Sequence, residues 1–346
     1  MSQNNPEKKI FVTGGSGLVG SHLLLDLVME GAQVRALRRS DDGPPRVRKV
    51  FAYYDRESLF DRIEWVDGDL LNYDNLLAAM KGAQEVYHAA AYISFNHAEF
   101  DKILEINIKG TANIVDAALE NNTQHLCHVS SIATLGAPVN DEPADEETYM
   151  DVHANHSAYS ISKYYAELEV WRGISEGLNA VIVNPSVILG PGNWHRSSGI
   201  LFRLIRNGFK YYTLGTTGFI DVRDVSDAMI RLVRDKVSGE RFVISAENMS
   251  FRRLFEMIAE GFCMKPPGRH ANPFLTGVAW RAEKLRRMLM GSAPLLTRSA
   301  VQISHAKLSY SGKKYTERTG VKFRPLSLSV PEICRMFLLD NQNRPD

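Results

Sequence analysis

A tyrosine, a lysine and two serines have the types and the spacing to act together on a proton. Tyr159 and Lys163 are four residues apart in AYSISKYYAELEV, which places both on one face of a predicted helix. A Y-x-x-x-K spacing is common, so the pair means little by itself. It gains weight because the preceding predicted strand ends in Ser130 and Ser131, and ligands bind at the carboxyl ends of parallel strands. A serine pair there is often only a turn or a helix cap.

A glycine-rich loop near the start of the chain has the spacing of a dinucleotide-binding site. VTGGSGLVGSHL places Gly14, Gly17 and Gly20 between a predicted strand and a predicted helix. Gly14 suits the tight turn, Gly17 lets the backbone approach a pyrophosphate, and Gly20 permits close packing of helix on strand. A simple turn into a helix is the alternative, but the strand-loop-helix context favours the dinucleotide. The same loop contains Ser16, Leu18 and Val19, which are also expected to contact the cofactor.

The residues after the second predicted strand bear on the choice of cofactor. An NAD site has an Asp or Glu about 20 residues after the glycine loop to bind the ribose 2′-hydroxyl. This chain has Arg38 and Arg39 there. A guanidinium binds a 2′-phosphate through charge-assisted hydrogen bonds, so NADP(H) is favoured and NAD(H) is the alternative. Because Asp41 and Asp42 lie close by, two solvated arginines are the other interpretation.

A carboxylate also follows the third predicted strand, in VDGDLLN. Asp69, followed by Leu70, could accept a hydrogen bond from an adenine amino group. A helix N-cap formed by Asp69 or Asn72 is the competing interpretation.

The elements that position these residues alternate between short apolar runs and helical periods through about residue 185. Such alternation indicates βαβ units, a parallel sheet and helices on both of its faces. The predicted strands span 9–13, 33–37, 63–66, 85–91, 125–131 and 179–186, and the predicted helices span 18–31, 72–82, 106–121 and 158–177.

The expected fold is α/β, a Rossmann-type doubly wound parallel sheet with a smaller, mostly helical C-terminal substrate domain. A dinucleotide-binding domain is expected over 1–185, with 218–245 returning to it. The substrate-binding domain is expected over 186–217 and 246–340. The polar, proline-containing segment 40–61 is expected to be a surface excursion with one helix.

The composition excludes several classes of function. A net charge of +1 over 346 residues gives no electrostatic reason to expect nucleic acid. No signal peptide is recognised and no apolar run approaches about 18 residues, so no membrane span is expected. Three scattered cysteines and the absence of H-x-x-x-H pairs argue against disulfides and metal, which favours a cytoplasmic protein. The basic amphipathic stretch 274–290 is expected to pack on the protein, with a membrane surface as the alternative.

With these motifs in order, the chain resembles the extended short-chain dehydrogenase/reductases of the NAD-dependent epimerase/dehydratase superfamily. The likeness covers nearly the whole chain. It rests on TGGSGLVG (13–20), GDL (68–70), HAAA (88–91), NIKGT (107–111), SSIA (130–133), YSISK (159–163), NPSVILGPG (184–192) and DVRDVSDA (221–228).

The resemblance implies roles for Ser131, Tyr159, Lys163 and Asn107. Ser131 would hydrogen-bond the substrate oxygen, Tyr159 would be the general acid/base, and Lys163 would bind the nicotinamide ribose. Asn107 would position the site or its water, while capping or bending its own helix is an equal alternative. The resemblance also implies a homodimer through helices at 98–121 and 157–177, where Val170 and Trp171 could serve or could instead face the protein's own sheet. Small or flanking positions beside the cofactor would be Ala89, Ala90, Ala91, Pro185 and Val187.

Elementary acid–base chemistry supports the tyrosine role. A free tyrosine has a pKa near 10, so Tyr159 exchanges a proton near neutrality only if positive charge stabilises its phenolate. Lys163 and an oxidised nicotinamide are expected to supply that charge.

Two reactions compete within the superfamily. A reductase or dehydrogenase would act on a ketone, aldehyde or secondary alcohol, like the dihydroflavonol reductase and 3β-hydroxysteroid dehydrogenase branches. A sugar-nucleotide epimerase or dehydratase would retain its NAD. Three features favour the reductase or dehydrogenase. Arg38 and Arg39 suit NADPH, and Ile132 and Ala133 stand where a dehydratase would have an acidic pair. Thr217 stands where many sugar-nucleotide enzymes have a diphosphate-binding arginine.

A non-catalytic dinucleotide-sensing protein is the alternative from another class. An apolar and aromatic substrate wall is expected, with ordinary packing as the alternative for each member. Its members would be Tyr92, Ile93, Phe95, Trp194 and His195.

Overall fold

The protein is described by a computed structural model over residues 8–41, 43–94, 99–138, 142–151, 153–154, 156–274, 276–277 and 298–342. The strands are β1 (Lys9–Thr13), β2 (Gln33–Arg38), β3 (Ile63–Asp67), β4 (Glu85–His88), β5 (His125–Val129), β6 (Ala180–Pro185), β7 (Val187–Leu189), β8 (Tyr211–Tyr212), β9 (Thr216–Asp221), β10 (Glu240–Ile244), β11 (Glu247–Ser250) and β12 (Arg269–His270).

The helices of the described residues follow in the same chain order. They are α1 (Leu18–Met29), α2 (Gly43–Tyr53), α3 (Tyr73–Ala79), α4 (Phe100–Leu104), α5 (Gly110–Glu120), α6 (Ala158–Ser175), α7 (Gly199–Arg206), α8 (Val222–Arg234), α9 (Phe251–Gly261), α10 (Arg298–His305), α11 (Lys313–Thr319) and α12 (Leu326–Gln342). Shorter helical turns span 57–62 and 132–134, and a π-helical turn over 105–109 joins α4 to α5.

Seven strands form one central sheet in the order β10-β6-β5-β4-β1-β2-β3. Every pairing in it is parallel. The chain runs outward from β1 through β2 and β3, then crosses back to β4 and runs the other way. This reversal between β1 and β4 is the topological switch point, where ligands of such sheets bind. The expected doubly wound α/β fold is confirmed.

Both faces of the central sheet are buried, which explains its continuous apolar strands. Consecutive residues of β6 face opposite sides: Val181 and Val183 join the core under α1 and α8, whereas Ile182 joins the core under α5 and α6. The second core includes Val115 and Val170, both fully buried. Helices therefore cover both faces of the sheet, and a ligand would bind at its carboxyl edge.

The expectation of a surface excursion over 40–61 is wrong for the helix within it. In α2, Val47, Val50 and Phe51 are buried, and Val47 and Phe51 belong to the same core as α1. Their helical spacing forms an apolar stripe that its polar neighbours obscure in the sequence. On the other side of α2, Lys49 forms an ion pair with Asp340 of α12. The helix thus bridges the central sheet and the C-terminal helix.

A smaller sheet, β11-β9-β7, lies beside the large one and packs against α7, α9 and α12 around a separate apolar core. The segment expected to return to the dinucleotide-binding domain begins in this small sheet with β9. It then continues with α8 against α1 and ends with β10 at the edge of the large sheet.

Within the described part of the chain, no helix is long and apolar enough to cross a membrane, and no group of His, Cys, Asp and Glu is placed to hold a metal ion. Residues 278–290 of the amphipathic stretch lie outside the described residues.

Candidate active site

The glycine loop lies at the switch point, between the carboxyl ends of β1 and β4. Gly14 has φ +72°, and a Cβ built there would lie 2.5 Å from the backbone nitrogen of Ala90. The Gly17 N–H donates to the Gly14 carbonyl at 2.9 Å, and Gly17 is the N-cap of α1. A Cβ at Gly20 would overlap that same carbonyl. The loop therefore needs glycine at its turn and at its contact with the helix.

The exposed end of this loop suits a pyrophosphate. Ser16 and Gly17 are exposed, and the first turn of α1 has no acidic residue. Because the N-terminus of a helix carries a partial positive charge and free amides, it attracts an anion. The residues present thus fit a dinucleotide.

The two arginines after β2 have different environments. Arg38 donates from Nε to Asp67 Oδ1 at 2.8 Å and pairs through Nη1 with Asp41 Oδ1 at 3.1 Å. Arg39 is exposed, and within the described residues it makes no ion pair. The charge of Arg38 is thus compensated inside the protein, and Arg39 is the arginine available to a ligand.

The carboxylate after β3 stabilises a local turn. Asp69 Oδ1 accepts from the Leu71 N–H at 2.9 Å, and the side chain is exposed. The N-cap of α3 is Asn72, whose Oδ1 accepts from the Asn75 N–H at 3.0 Å. The capping role therefore falls to Asn72.

Ser131 and Tyr159 meet at the carboxyl end of β5. Ser131 caps the short turn 132–134, where its Oγ accepts from the Ala133 N–H at 3.1 Å. Helix α6 begins at Ala158 with Ser157 as its N-cap, which places Tyr159 in the first turn. The Ser131 side chain lies close enough to Tyr159 to lower the pKa of its phenol. The fold therefore brings the sequence-predicted pair to the same place.

Burial sets the protonation of Tyr159 and Lys163. It raises the pKa of the Tyr159 phenol, against the opposite effect of the Ser131 hydrogen bond. It also lowers the pKa of Lys163 to about 8, while the charge of Glu167 acts in the opposite direction. Near neutrality Tyr159 is thus a neutral phenol and Lys163 is mainly an ammonium.

The expected lowering of the Tyr159 pKa by Lys163 is not found in the protein alone. Lys163 Nζ donates to the Val129 carbonyl at 2.6 Å and lies 3.4 Å from His128 Nε2. The ammonium is directed at strand β5, and burial dominates the pKa of Tyr159.

Asn107 links three elements around the site. It lies in the π-helical turn 105–109, where its Oδ1 accepts from the Tyr92 N–H at 2.7 Å. Its Nδ2 donates to the Tyr92 carbonyl at 3.0 Å and to Ser162 Oγ at 2.9 Å. Asn107 therefore holds the chain after β4 against α6, next to Lys163. The π-helical turn that contains Asn107 is of a kind that is frequent at functional sites.

Two buried histidines lie behind the site and were not singled out from the sequence. His88 Nδ1 bonds Thr13 Oγ1 at 2.7 Å, and its Nε2 bonds Thr111 Oγ1 at 3.0 Å. Burial lowers the pKa of His88 to about 3 and that of His128 well below its ordinary value. Both rings are therefore neutral. Their positions at the ends of apolar strands, in EVYH and HLCHV, were the available signal.

The expected substrate residues have different environments. Tyr92 is half-buried, and its hydroxyl donates to Glu99 Oε1 at 3.0 Å. Trp194 is only 4% exposed and its Nε1 donates to Asp340 Oδ2 at 2.8 Å, which agrees with ordinary packing, the alternative interpretation for this residue. His195 is exposed and its Nδ1 lies 2.6 Å from Arg203 Nη1. Phe95 lies outside the described residues.

The outer face of α6 differs from the expectation for a dimer surface. Val170 is fully buried and Trp171 packs on the same core, so both face the protein's own interior. The large apolar side chains exposed on α6 are Tyr165 and Leu168.

A doubly wound sheet with a glycine loop at its switch point, and with Ser131 and Tyr159 near a buried lysine, defines an NAD(P)-dependent enzyme of the extended short-chain dehydrogenase type. The model of the NAD dependent epimerase/dehydratase family matches residues 10–245, and the chain belongs to that family.

Individual relatives agree with this assignment. The chain is 30% identical over 334 residues to a putative dihydroflavonol 4-reductase of Synechocystis, covering 94% of each. It is 26% identical to cinnamoyl-CoA reductase 1 of Petunia hybrida, over 73% of this chain and 77% of that one. A UDP-glucose 4-epimerase structure from Thermotoga maritima, with UDP-glucose, shares the fold at 18% identity and TM-score 0.76, covering 96% and 99% of the two chains. The protein is thus an NAD(P)-dependent oxidoreductase.

Proposed function

We propose that the protein is an NADPH-dependent reductase that converts an apolar ketone or aldehyde to the alcohol. The observation that carries this proposal is that Tyr159, in the first turn of α6, is kept protonated by burial and is influenced by Ser131 at the end of β5. A neutral phenol is a proton donor, which is what a carbonyl oxygen requires as it becomes an alkoxide. Bound NADPH supplies the hydride.

In this reaction each residue of the site has its own role. Ser131 and Tyr159 hydrogen-bond the carbonyl oxygen, and Tyr159 transfers its proton to that oxygen. Lys163 holds the nicotinamide ribose, and Asn107 keeps α6 in place against the chain after β4. The residues that would hold the rest of the cofactor are the glycine loop, Asp69, Leu70, Ala89, Ala90, Ala91, Pro185 and Val187.

The preference for NADPH rests on Arg39. Arg38 is occupied by Asp67 and Asp41, whereas Arg39 is exposed at the end of β2. A guanidinium at this place suits a 2′-phosphate. NAD(H) binding is the alternative.

The substrate class is argued from the chain after β4. Tyr92 is half-buried and Ile93 is 51% exposed, which provides apolar surface beside Asn107. The relatives named as reductases support reduction as the reaction. We assign substrate binding mainly to 186–217 and 246–340, which form the smaller sheet and its helices.

We further propose a cytoplasmic homodimer. All three cysteines are free, which suits a reducing compartment. The exposed Tyr165 and Leu168 on α6 are the side chains that a second copy of the chain would cover.

The test is turnover of a panel of aromatic and aliphatic carbonyls with NADPH and with NADH, after the purified protein's absorbance has been checked for retained cofactor. Tyr159→Phe should lower turnover about 10²-fold or more while NADPH still binds. Tyr165→Phe is the matched control, because this tyrosine is exposed on the same helix. Equal turnover in Tyr159→Phe would refute the mechanism.

Other results would redirect the assignment. Retained NAD together with conversion of a sugar nucleotide would identify the epimerase alternative. Cofactor binding without turnover of either substrate class would identify the non-catalytic sensor.

A further inference from the structure

Glu167 is a buried carboxylate on the helix that carries Tyr159 and Lys163. It lies one turn beyond Lys163 in α6 and is 3% exposed. A buried carboxylate is costly unless hydrogen bonds and an opposite charge compensate it. Its partners therefore show which parts of the fold it holds together.

Those partners come from three strands and a turn. Glu167 Oε2 accepts from Ser130 Oγ at 2.6 Å, Thr134 Oγ1 at 3.0 Å and Asn184 Nδ2 at 2.9 Å. Glu167 Oε1 pairs with Arg241 Nη1 at 3.0 Å. One carboxylate thus joins α6 to the ends of β5 and β6, to the turn 132–134, and to β10.

The same donors surround the backbone of Ser131. Thr134 Oγ1 lies 2.9 Å from the Ser131 carbonyl, and Asn184 Nδ2 lies 3.2 Å from it. Ser130 and Thr134 stand on either side of Ser131 in the chain, and both touch Glu167. Glu167 is therefore linked to the Ser131 backbone through Thr134 and Asn184, and it shares α6 with Tyr159.

Glu167 also acts on Lys163 through its charge, since its field favours the ammonium form against burial. The other titratable groups around Lys163 are Tyr159 on its own helix and His128 on β5, with His88 on β4 behind His128. Both histidines are neutral and therefore place no positive charge beside the Lys163 ammonium.

On the far side of Glu167 the facing groups are Arg241 and Glu146. The Arg241 guanidinium also donates to the Glu146 carbonyl, and the Glu146 carboxylate accepts from the Val243 N–H at 2.6 Å. Arg241 therefore partly neutralises the charge that Glu167 presents to Lys163.

We propose that Glu167 is a positioning residue for the reaction: through its hydrogen bonds it holds Ser131 in register with the helix that carries Tyr159 and Lys163. This rests on the proposed function, in which Ser131, Tyr159 and Lys163 act on the carbonyl and the ribose. It extends that function to a residue that touches neither substrate nor cofactor.

The test is the pH dependence of kcat/KM for a reduced carbonyl at saturating NADPH. Activity that needs the Lys163 ammonium falls as pH rises through the pKa of Lys163. Glu167→Gln removes the negative charge, so the alkaline fall should move to lower pH by about one unit. Arg241→Met removes the positive charge that partly neutralises Glu167, so the alkaline fall of kcat/KM should move to higher pH. Glu169→Gln is the matched control on the same helix and should leave the profile unchanged.

A conservative variant separates charge from geometry. Glu167→Asp keeps the charge but shortens the reach to Ser130 and Thr134, so the alkaline fall should stay in place while kcat drops. These variants need native circular dichroism and intact NADPH binding. If Glu167→Gln fails to fold, the upward shift in Arg241→Met and the unshifted fall in Glu167→Asp carry the test.

The outcomes distinguish failure of the proposed role of Glu167 from failure of the proposed reductase function. An active wild type with inactive Tyr159→Phe, but an unshifted alkaline fall in both Glu167→Gln and Arg241→Met, would overturn the role of Glu167 alone. A wild type without carbonyl turnover would overturn the proposed function itself.

Discussion

Replacing Gly14 by alanine tests the reason for glycine at the switch point. Gly14 combines a left-handed φ of +72° with a Cβ position 2.5 Å from the Ala90 nitrogen and 2.6 Å from the Ala89 carbonyl carbon. The left-handed conformation costs a residue with a Cβ about 1–2 kcal/mol. Overlap with fixed backbone adds about 1–3 kcal/mol, as overpacking does elsewhere.

Gly31 is a matched control for the conformational part of this cost. It has φ +83°, and a Cβ there would meet no atom within 4 Å. Gly31→Ala should therefore lower the free energy of unfolding by about 1–2 kcal/mol, whereas Gly14→Ala should lower it by about 2–5 kcal/mol. The difference between the two variants isolates the contact of the loop with the end of β4.

The assay is urea unfolding of both variants, followed by calorimetric titration with NADPH. Gly14→Ala should weaken NADPH binding at least tenfold, because relief of the overlap moves the loop away from β4. Gly31→Ala should bind NADPH as the wild type does. Equal destabilisation by the two substitutions, or unchanged NADPH affinity in Gly14→Ala, would refute the steric argument.

Three further substitutions test charged side chains near the glycine loop and in α1. Arg39→Ala should raise the Kd for NADPH about tenfold in calorimetry and leave the Kd for NADH unchanged, since only NADPH carries the 2′-phosphate; Arg38→Ala should have the smaller effect because Asp41 and Asp67 occupy that side chain. Burial raises the pKa of Asp26 to about 6, against a Ser226 hydrogen bond that lowers it. The folded state therefore binds this proton more tightly than the unfolded state does, and stability is lost as pH rises from about 4 to 6. Asp26→Asn should add about 1–3 kcal/mol to the free energy of urea unfolding at pH 7 and nothing at pH 4; an equal gain at both would contradict the assignment.

Strand positions in the central sheet were predictable because both faces of the sheet are covered. The predicted run 9–13 coincides with β1, and 63–66 differs from β3 by one residue. The run 85–91 was too long, since β4 ends at His88. Ala89 and Ala90 leave the strand to pass under Gly14, and apolar composition alone does not distinguish that path from a strand.

The contacts of α2 and Trp194 could not be predicted, because their partners are distant in the chain. Trp194 bonds Asp340, which is 146 residues away, and the same carboxylate pairs with Lys49 of α2. A tryptophan after a Gly-Pro-Gly turn gives the same sequence signal whether it lines a pocket or fills a core. Long-range packing decided between them.

The protonation states at the site also depend on burial, which sequence spacing does not report. The Tyr159–Lys163 spacing suggested that the ammonium would lower the phenol's pKa, yet Lys163 is directed at the Val129 carbonyl. The phenol is consequently neutral in the protein alone and ready for reduction.

Oxidation of an alcohol requires the opposite state, because Tyr159 must then accept a proton as phenolate. Burial opposes that charge, and the effect of Ser131, which favours it, is the smaller of the two. Oxidation should therefore have its pH optimum above that of reduction, since it needs Tyr159 deprotonated whereas reduction needs the neutral phenol and the Lys163 ammonium. The measurement is the rate of reduction and of oxidation across pH 6–10 at saturating cofactor and substrate, from which the two pH optima are compared. An oxidation optimum at or below the reduction optimum would show that the phenol is not the group that exchanges the proton.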